Sequence, residues 1–375
     1  MFTCRGISFI RLDETLKYGL EFSKCGNAQI GAQSRRYAEE LLAIPRVVAY
    51  GVQPCTVLGT VDTMLLLNTL FALALSTADP VGFIGLGIMG QGMARRLLSL
   101  PRPLHVWSRN HEVTKAIAAQ YPGMITIAAS PAAVIDACER TYLMLSTPEV
   151  CEEVYTMESG VLEGCRPGKA IIDCATLRPE DMASLGERVR ARGGSFVEAP
   201  VSGSKAPAAN GALIFMCAGD KATFEAAEAE LGVMGKKSVF CSETVGAATQ
   251  MKLVVNLIMG TQLVALAEGL VLADKLNLSS KDVQAVLDQG AMASPMVALK
   301  GPLMAKHDYS TAFPLKYALK DMRFALSLEE APELPVSAAA TALYAAADDE
   351  GGLGDADFCA VMEAARGAIG EKREC

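Results

Sequence analysis

This sequence has few histidines and no clustered cysteines. Its 375 residues include three histidines, and its eleven cysteines are scattered, with no Cys-x-x-Cys pair and no Cys/His cluster. A mechanism that uses histidine as its proton carrier therefore has few candidates. The cysteine pattern argues against a metal site or a thioredoxin-type motif, and it is typical of free, buried thiols in an intracellular enzyme.

Positive charge is also in short supply. The chain has 34 Lys and Arg against 42 Asp and Glu, a formal net charge of −8, and no long basic run. This balance gives no reason to expect nucleic acid as a partner. The apolar stretch 64–75 is too short to cross a bilayer and lies too far from the start for a secretory signal. We therefore expect no nucleic acid and no membrane among the partners.

What the chain does have is a glycine-rich turn around which the rest is arranged. An apolar run at 80–84 leads into Gly-x-Gly-x-x-Gly, and a helical pattern follows at 91–98. In a dinucleotide-binding turn the first glycine permits a tight bend and the second lets the backbone approach the pyrophosphate. The third lets the helix pack closely on the strand. The predicted cofactor-binding residues here are Gly85, Leu86, Gly87, Ile88, Met89 and Gly90.

The residues after the second predicted strand, 104–108, indicate which dinucleotide binds. About 20 residues past the glycines, an acid would bind the free ribose 2′-hydroxyl of NAD. This chain has Ser108, Arg109 and Asn110 there instead. The planar guanidinium of an arginine can pair with a 2′-phosphate. We therefore predict NADP or NADPH as the cofactor, the alternative being that Arg109 is an ordinary solvated loop residue.

Strand and helix patterns alternate over residues 79–244. This predicts a doubly wound, mostly parallel sheet with helices on both faces, the α/β architecture of a Rossmann domain. Ligands of such sheets bind beyond the carboxyl ends of the strands. The loop residues Ser146, Thr147 and Pro148 are therefore further cofactor-binding candidates.

The rest of the chain, 245–375, has helical patterns throughout and predicts an all-α C-terminal domain. It begins with one long interdomain helix at 246–276, about 45 Å long if continuous. Further helices are predicted near 314–329, 335–349 and 355–367. The expected fold is thus an N-terminal Rossmann domain followed by a helical domain for substrate binding and oligomerisation.

Residues 1–78 fit neither domain, because they mix basic residues with acids ahead of the apolar stretch. Organellar transit segments are usually poor in acids. Two interpretations stay open: a transit segment, or an extension, in part disordered, with no catalytic role. The first predicts a chloroplast or mitochondrial location and the second a cytoplasmic one.

Two lysine-centred pairs stand out in the helical region. Lys252 and Asn256 are four residues apart, so they project from one face of the long helix. Burial of that face would lower the pKa of the lysine towards neutrality and make it a usable proton donor. A solvated stripe or a subunit contact is the alternative. Lys316 and Lys320 form a second such pair, for which spacing alone favours an exposed basic face.

Several motifs, in this order along the chain, resemble those of the β-hydroxyacid dehydrogenase family. They are the stretches 82–90, 106–110, 200–205 and 251–256, and the likeness covers about 80–370. Within the family, Phe313-Pro314-Leu315-Lys316 and Lys320-Asp321-Met322-Arg323 make the chain most similar to plant-type glyoxylate/succinic semialdehyde reductases. The extension at 1–78 has no counterpart in the family core.

The resemblance implies an active site in the cleft between the two domains. Lys252 matches the catalytic lysine and Asn256 the asparagine one turn later; Ser202 and Gly203 match the substrate-binding pair, and Thr176, Phe313 and Lys320 the cofactor-side groups. Two nearby stretches are compared with the family pattern. The family usually has a glycine before the proline or an acid two places before it, and this chain has Glu198-Ala199-Pro200; Cys174-Ala175 replaces the commoner Met-Ser. Neither departure removes an assigned functional group.

The activity that the resemblance implies is NADPH-dependent reduction of glyoxylate to glycolate or of succinic semialdehyde to 4-hydroxybutyrate. Lys252 would be the proton donor. One alternative is an NAD-dependent 3-hydroxyisobutyrate-type dehydrogenase, against which Arg109 argues. Another is a non-catalytic NADP-binding oligomerisation module, but chromatin-associated relatives of that kind lack the catalytic lysine. A homodimer or homotetramer is expected, and the sequence does not rank the two oxo-acids.

Overall fold

The computed structural model describes residues 79–367. The two interpretations of the extension at 1–78 therefore concern a segment outside the described residues, as does the end of the chain at 368–375. The α/β part begins with β1 (Val81–Ile84), α1 (Gly90–Leu97), β2 (Leu104–Trp107), α2 (His111–Gln120), β3 (Ile125–Ile127), α3 (Pro131–Ala137), β4 (Arg140–Leu143), α4 (Pro148–Thr156) and α5 (Val161–Gly164). It continues with β5 (Ala170–Asp173), α6 (Pro179–Arg190), β6 (Ser195–Glu198), β7 (Val201–Ser202), α7 (Lys205–Asn210), β8 (Leu213–Gly219), α8 (Lys221–Ala226), α9 (Glu228–Met234) and β9 (Gly235–Ser242).

These strands form one sheet whose main part is parallel. Six strands run in the order β3-β2-β1-β4-β5-β6, which is the Rossmann order, with its reversal between β1 and β4. β8 pairs antiparallel with β6 and β7 and parallel with β9, so it extends the sheet beyond the parallel part. The prediction of a doubly wound, mostly parallel sheet is confirmed.

The central strands are buried on both faces, which explains their continuous apolar runs. Phe83 and Tyr142 belong to one hydrophobic core, whereas their neighbours Ile84 and Leu143 belong to another. Successive side chains of a strand point to opposite faces, so the two cores lie on the two sides of the sheet. All residues of β1, β4 and β5 are buried.

The strand assignments differ from the sequence predictions in two places. The apolar run Tyr142-Leu143-Met144-Leu145 predicts the fourth strand at 142–145. The strand begins instead at Arg140, whose buried guanidinium donates to Glu230 Oε1 at 2.9 Å. A charged residue at the start of a strand hides it from a hydrophobic pattern. β7, β8 and β9 were not predicted, and β9 carries the exposed Lys236 and Lys237.

The helical part consists of α10 (Ala247–Lys275), α11 (Ser280–Gln289), α12 (Pro295–Ala305), α13 (Leu315–Leu326), α14 (Pro335–Asp349), a 3₁₀ turn (Phe358–Ala360) and α15 (Val361–Ala365). The long helix predicted at 246–276 is therefore confirmed, whereas α12 was not predicted. α10 packs against α13, α14 and α15 around a third core that includes Leu253, Leu319 and Tyr344. Because α10 starts directly at the sheet, residues in its first turns can face both parts.

The opposite face of α10 exposes a stripe of apolar side chains. Met251, Val254, Val255 and Ile258 are between 37% and 54% exposed. Among the described residues, α10 is the one helix long and apolar enough to cross a bilayer by length and composition. The core helix of a globular domain meets the same criterion, and α10 buries Lys252 and Asn256 together with its apolar core face.

Candidate active site

The glycine-rich turn after β1 has the geometry that each of its glycines permits. Gly85 has a φ of 98°, a left-handed conformation that other residues rarely adopt. A Cβ on Gly90 would lie 1.9 Å from the Gly85 carbonyl oxygen, so α1 starts in direct contact with the turn. A Cβ on Gly87 would meet no heavy atom of the described chain within 4 Å. The backbone at Gly87 is thus open to a ligand.

The turn lies at the sheet's reversal point, between the carboxyl ends of β1 and β4. The Gly85 N–H donates to the Trp107 carbonyl oxygen at 2.9 Å, and the Met144 N–H donates to Ile84 at 2.9 Å. Met89, the N-cap residue of α1, makes no side-chain capping bond within the described chain. The Gln91 N–H donates to the Gly87 carbonyl oxygen at 3.2 Å, whereas the N–H groups of Gly87, Ile88 and Met89 have no backbone acceptor within residues 79–367. These N–H groups of the turn can therefore bind an anion, as a dinucleotide pyrophosphate requires. Around the same turn, Leu86 is buried and Ile88 is exposed.

The residues after β2 place a guanidinium at the same edge of the sheet. Arg109 is 56% exposed and pairs with Glu153 of α4 at 3.0 Å between Nη1 and Oε2. Asn110 caps α2, since its Oδ1 accepts from the N–H of Glu112 and Val113. Ser108 is buried. Of the three predicted ribose-side residues, Arg109 is therefore the one with an exposed, charged group to offer.

The loop after β4 is shaped by a helix cap. Thr147 Oγ1 accepts from the Val150 N–H at 3.3 Å, and Pro148 occupies the first turn of α4. The predicted cofactor residues Ser146, Thr147 and Pro148 thus form the entry to a helix beside the glycine turn. Their backbone follows β4 at the edge where β1 and β2 also end.

Lys252 is buried, with 6% of the residue exposed, in the second turn of α10. Its Nζ donates a hydrogen bond of 2.8 Å to Asn256 Oδ1, one turn later on the same face. Burial lowers the pKa of Lys252 to about 8, an effect that nearby Asp321 opposes and Lys320 reinforces. Of the alternatives left open by the sequence, the solvated stripe is wrong, because both side chains are buried on one face of α10. At this pKa the ammonium can release its proton near neutral pH.

A chain of hydrogen bonds continues from Lys252 into α13 and across to the sheet. Asn256 Nδ2 donates to Asp321 Oδ2 at 2.6 Å, and Lys320 Nζ lies 2.9 Å from Asp321 Oδ1. Lys320 also donates to the backbone carbonyl oxygen of Thr176, in the loop after β5. The structure therefore brings Lys252, Asn256, Lys320 and Thr176 into one network between the helical part and the α/β part.

Asp321 is the member of this network that sequence reasoning missed. It is 3% exposed and next to Lys320 in the chain, and an acid on the apolar face of a predicted helix was the available signal. Lys316, by contrast, pairs with the exposed Asp355 at 2.6 Å. The exposed basic face expected for the second lysine pair is thus correct for Lys316 and wrong for Lys320, which is only 15% exposed.

The substrate-side turn follows β6. Ser202 pairs with Ile214 of β8, and Gly203 has a φ of 136°, which favours glycine. Glu198, four residues before Ser202, is fully buried and accepts N–H bonds from Gly246 and Thr249 at the start of α10. This carboxylate was noted in the sequence only as a family variation. It ties the end of β6 to the helix that carries Lys252.

Phe313 lies one loop away from this network. Its N–H donates to Asp357 Oδ2 at 3.2 Å, and its ring packs edge-to-face on Phe358 with 5.4 Å between centroids. Phe313 lies two positions before the start of α13, the helix that carries Lys320. The contacts of Phe313 with the segment around Asp357 and Phe358 do not connect it to Lys252.

Two family models match the chain, and together they span residues 80–365. Residues 80–246 match the family model for the NAD binding domain of 6-phosphogluconate dehydrogenase, and residues 246–365 match that for the NAD-binding domain of NADP-dependent 3-hydroxyisobutyrate dehydrogenase. The boundary between the two models falls at Gly246, the residue before α10. The chain is therefore similar to a nucleotide-binding domain followed by the helical domain of these dehydrogenases.

Two curated relatives and one solved structure describe the likeness further. The chain is 46% identical to glyoxylate/succinic semialdehyde reductase 1 of Arabidopsis thaliana, over 76% of this chain and 98% of the relative. It is 41% identical to the chloroplastic reductase 2 of the same plant, over 77% and 80%. The structure of Mycobacterium tuberculosis 3-hydroxyisobutyrate dehydrogenase with L-serine is 27% identical, with a TM-score of 0.68, over 77% and 100%.

Proposed function

Because this chain belongs to the β-hydroxyacid dehydrogenase family, we propose that it reduces glyoxylate and succinic semialdehyde with NADPH. It is an NADP-dependent oxidoreductase. The two Arabidopsis thaliana relatives are named for these two substrates and are 46% and 41% identical to it. Their names support the substrate assignment, and the network around Lys252 supports the chemistry.

The observation that carries the proposal is the buried ammonium of Lys252 in a network that reaches the loop after β5. Burial of a lysine with a pKa of about 8 lowers the stability of the fold, and groups with such shifted pKa values are concentrated at sites where they act as acids or bases. Its only polar partner among the described bonds is Asn256, so further N–H groups of the ammonium remain for a substrate oxygen.

NADPH, when bound, supplies the hydride. The residues that would hold it are the 85–90 turn at the pyrophosphate, Arg109 at the 2′-phosphate, and Ser108, Asn110, the 146–148 loop, Thr176, Phe313 and Lys320 around the remainder. Gly87 leaves room for the phosphates, and Arg109 offers a planar set of donors to a phosphate. The residues present therefore fit NADPH.

In the proposed mechanism Lys252 binds the carbonyl oxygen of the oxo-acid and protonates it as negative charge develops there. Asn256 Oδ1 holds the ammonium in place through the 2.8 Å hydrogen bond. The Ser202 hydroxyl and the Gly203 N–H bind the substrate carboxylate. The product is glycolate or 4-hydroxybutyrate, and the proton lost from Lys252 is replaced from solvent.

The test is a steady-state comparison of both oxo-acids with NADPH and NADH. We expect kcat/KM to be highest with NADPH and one of the two named substrates, and absence of NADPH oxidation with either would contradict the proposal. The second candidate is a 3-hydroxyisobutyrate-type dehydrogenase, favoured by the match of residues 246–365. Higher kcat/KM for oxidation of 3-hydroxyisobutyrate than for reduction of either oxo-acid would favour it.

We also propose that the protein forms a homodimer or homotetramer through the apolar stripe Met251, Val254, Val255 and Ile258. These side chains are 37–54% exposed and lie along one helix, a patch of the kind that subunit interfaces bury. Ile258→Glu should then lower the molar mass measured by light scattering.

The location of the protein is proposed as chloroplast or mitochondrion if residues 1–78 are a transit segment, and otherwise as cytoplasm. One relative is named as chloroplastic.

A further inference from the structure

A buried carboxylate joins the two halves of the proposed site. Glu198, the last residue of β6, is fully buried and accepts three N–H bonds from the start of α10. The distances are 2.6 Å from Gly246 to Oε1, 3.0 Å from Ala248 to Oε1 and 3.1 Å from Thr249 to Oε2. The Thr249 hydroxyl adds a fourth bond of 2.5 Å to Oε2.

These bonds do what an N-terminal cap does, but from a distant part of the chain. The N-cap residue of α10 is Gly246, which has no side chain, and Glu198 lies 48 residues before it. The first N–H groups of a helix need acceptors, and the positive end of its dipole favours a carboxylate. Glu198 meets both needs from a strand of the sheet, so it fixes the start of α10 to β6.

The two elements that Glu198 joins are those that carry the proposed chemistry. Ser202 and Gly203 follow Glu198 within five residues, and Lys252 follows Thr249 by three, less than one turn of α10. A rotation or a slide of the first turn of α10 would therefore move the Lys252 ammonium relative to the 202–203 turn. The first turn of α10 also packs on β8, where Ala248 contacts the core around Met216, and further along α10 is held by α13, α14 and α15. Loss of the cap should therefore shift the first turn without unfolding the helix.

We propose that Glu198 is a positioning residue that sets where the Lys252 ammonium stands relative to the substrate-binding turn at 202–203. The inference rests on the proposed function, since it assigns Glu198 a role in that reaction. A carboxylate that only stabilised the fold would affect the stability of the protein and leave the chemistry of Lys252 unchanged. The properties of Lys252 therefore distinguish the two roles.

The experiment compares Glu198→Gln and Glu198→Asp with the wild-type full chain. Glu198→Gln keeps the shape but turns an NH₂ group towards N–H donors, whereas Glu198→Asp keeps the charge and shortens the reach. We expect Glu198→Gln to lower kcat with either oxo-acid by 10- to 100-fold and to change the Kd of NADPH less than threefold. Glu198→Asp should recover part of kcat.

A matched control is available at another carboxylate cap. Asp220 caps α8, accepting from the Thr223 N–H at 2.7 Å, on an element that carries none of the proposed site residues. Asp220→Ala should lower the Tm and leave kcat within twofold of the wild type. If Glu198→Gln behaves in the same way, with a lower Tm and an unchanged kcat, the positioning role is wrong.

A second readout does not depend on turnover. The rate of Lys252 acetylation by acetic anhydride, followed by mass spectrometry over a range of pH, reports the pKa of that amine. We expect Glu198→Gln to raise the pKa of Lys252 above its wild-type value, because a displaced first turn lets water reach the ammonium. Loss of a negative charge alone would lower it, so an unchanged or lowered pKa would overturn the proposal. A wild-type protein that reduces neither oxo-acid would contradict the proposed function instead, and this readout would still test Glu198.

Discussion

Asp321 lies two hydrogen bonds from the Lys252 ammonium, with the Asn256 amide between them. The amide donates to the carboxylate at 2.6 Å and accepts from the ammonium at 2.8 Å, so both of its ends are used. The same carboxylate lies 2.9 Å from Lys320 Nζ, so one buried negative charge serves two lysines and reaches Lys252 through the amide. This arrangement holds the ammonium in place and leaves its remaining N–H groups for a substrate.

Replacing Lys252 should remove catalysis and spare cofactor binding. We expect Lys252→Met to lower kcat by about 10²- to 10⁴-fold, the usual contribution of a general acid, because it removes the ammonium that would protonate the carbonyl oxygen. NADPH binding, measured by fluorescence titration, should change little. Lys316→Met is the matched control, since Lys316 is exposed and paired with Asp355, and it should keep its activity. Retention of most of kcat by Lys252→Met would make the proton-donor role wrong.

The pH dependence of reduction should follow the protonation of Lys252. Its pKa is lowered to about 8, and only the ammonium can give a proton to the carbonyl oxygen. We therefore expect kcat for reduction to fall as pH rises through about 8. The oxidation of the hydroxyacid needs the neutral amine and should show the opposite trend. Profiles measured in both directions at saturating substrate test this, and a flat profile between pH 6 and 10 would contradict it.

The same lowered pKa predicts a pH-dependent stability. The folded chain holds Lys252 with a pKa of about 8, below the ordinary value of 10.5, so it binds fewer protons than the unfolded chain between these pH values. The contribution of Lys252 to the free energy of unfolding therefore increases as pH rises from about 8 to 10.5. We expect Lys252→Met to be more stable than the wild type at pH 7, and by a smaller margin at pH 9.5. Urea denaturation at the two pH values measures this margin, and equal margins would argue against a buried charge.

Asp321 should influence the pKa of Lys252 through its charge. The carboxylate opposes the lowering of that pKa by burial, so Asp321→Asn should bring it further down. The fall of kcat with pH would then begin at a lower pH than in the wild type, and kcat at neutral pH would decrease. Asp355→Asn, at the exposed partner of Lys316, should leave the profile in place. An unshifted profile in Asp321→Asn would show that the charge of Asp321 does not set the pKa of Lys252.

Arg109 should set the preference for NADPH. A hydrogen bond between charged groups contributes about 1.5–3 kcal/mol, so Arg109→Ala should raise the KM for NADPH by roughly 10- to 150-fold and affect NADH little. Glu153, which pairs with Arg109 at 3.0 Å, competes with a phosphate for it, and Glu153→Gln should lower the KM for NADPH a few-fold. Glu152→Gln is the control, since Glu152 pairs with Arg188 on another helix. If the ratio of the KM for NADPH to the KM for NADH is unchanged in Arg109→Ala, Arg109 does not bind the 2′-phosphate.

Much of the fold could be predicted because its signals are local. Glycine spacing predicts the turn at 85–90, and a long helical pattern predicts α10; the structure has both at the predicted residues. The predicted position of β4 was wrong by two residues because Arg140 is charged. Glu230, which pairs with Arg140 and allows its burial, is 90 residues away in sequence. A pattern of single residues cannot reveal such a distant compensation.

The sequence alone determined the kinds of chemical group in the site and their order along the chain. The spacing of Lys252 and Asn256 follows from helix geometry, and the order of motifs indicates the family. Only the tertiary structure decided that Lys320 contacts Thr176 and is not on an exposed basic face. It also decided that the Asp321 carboxylate reaches Lys252 through Asn256 and that Glu198 caps α10. The reason is physical: burial, charge pairing and capping here join residues 48 to 144 positions apart, and those distances close only when the two parts of the chain pack together.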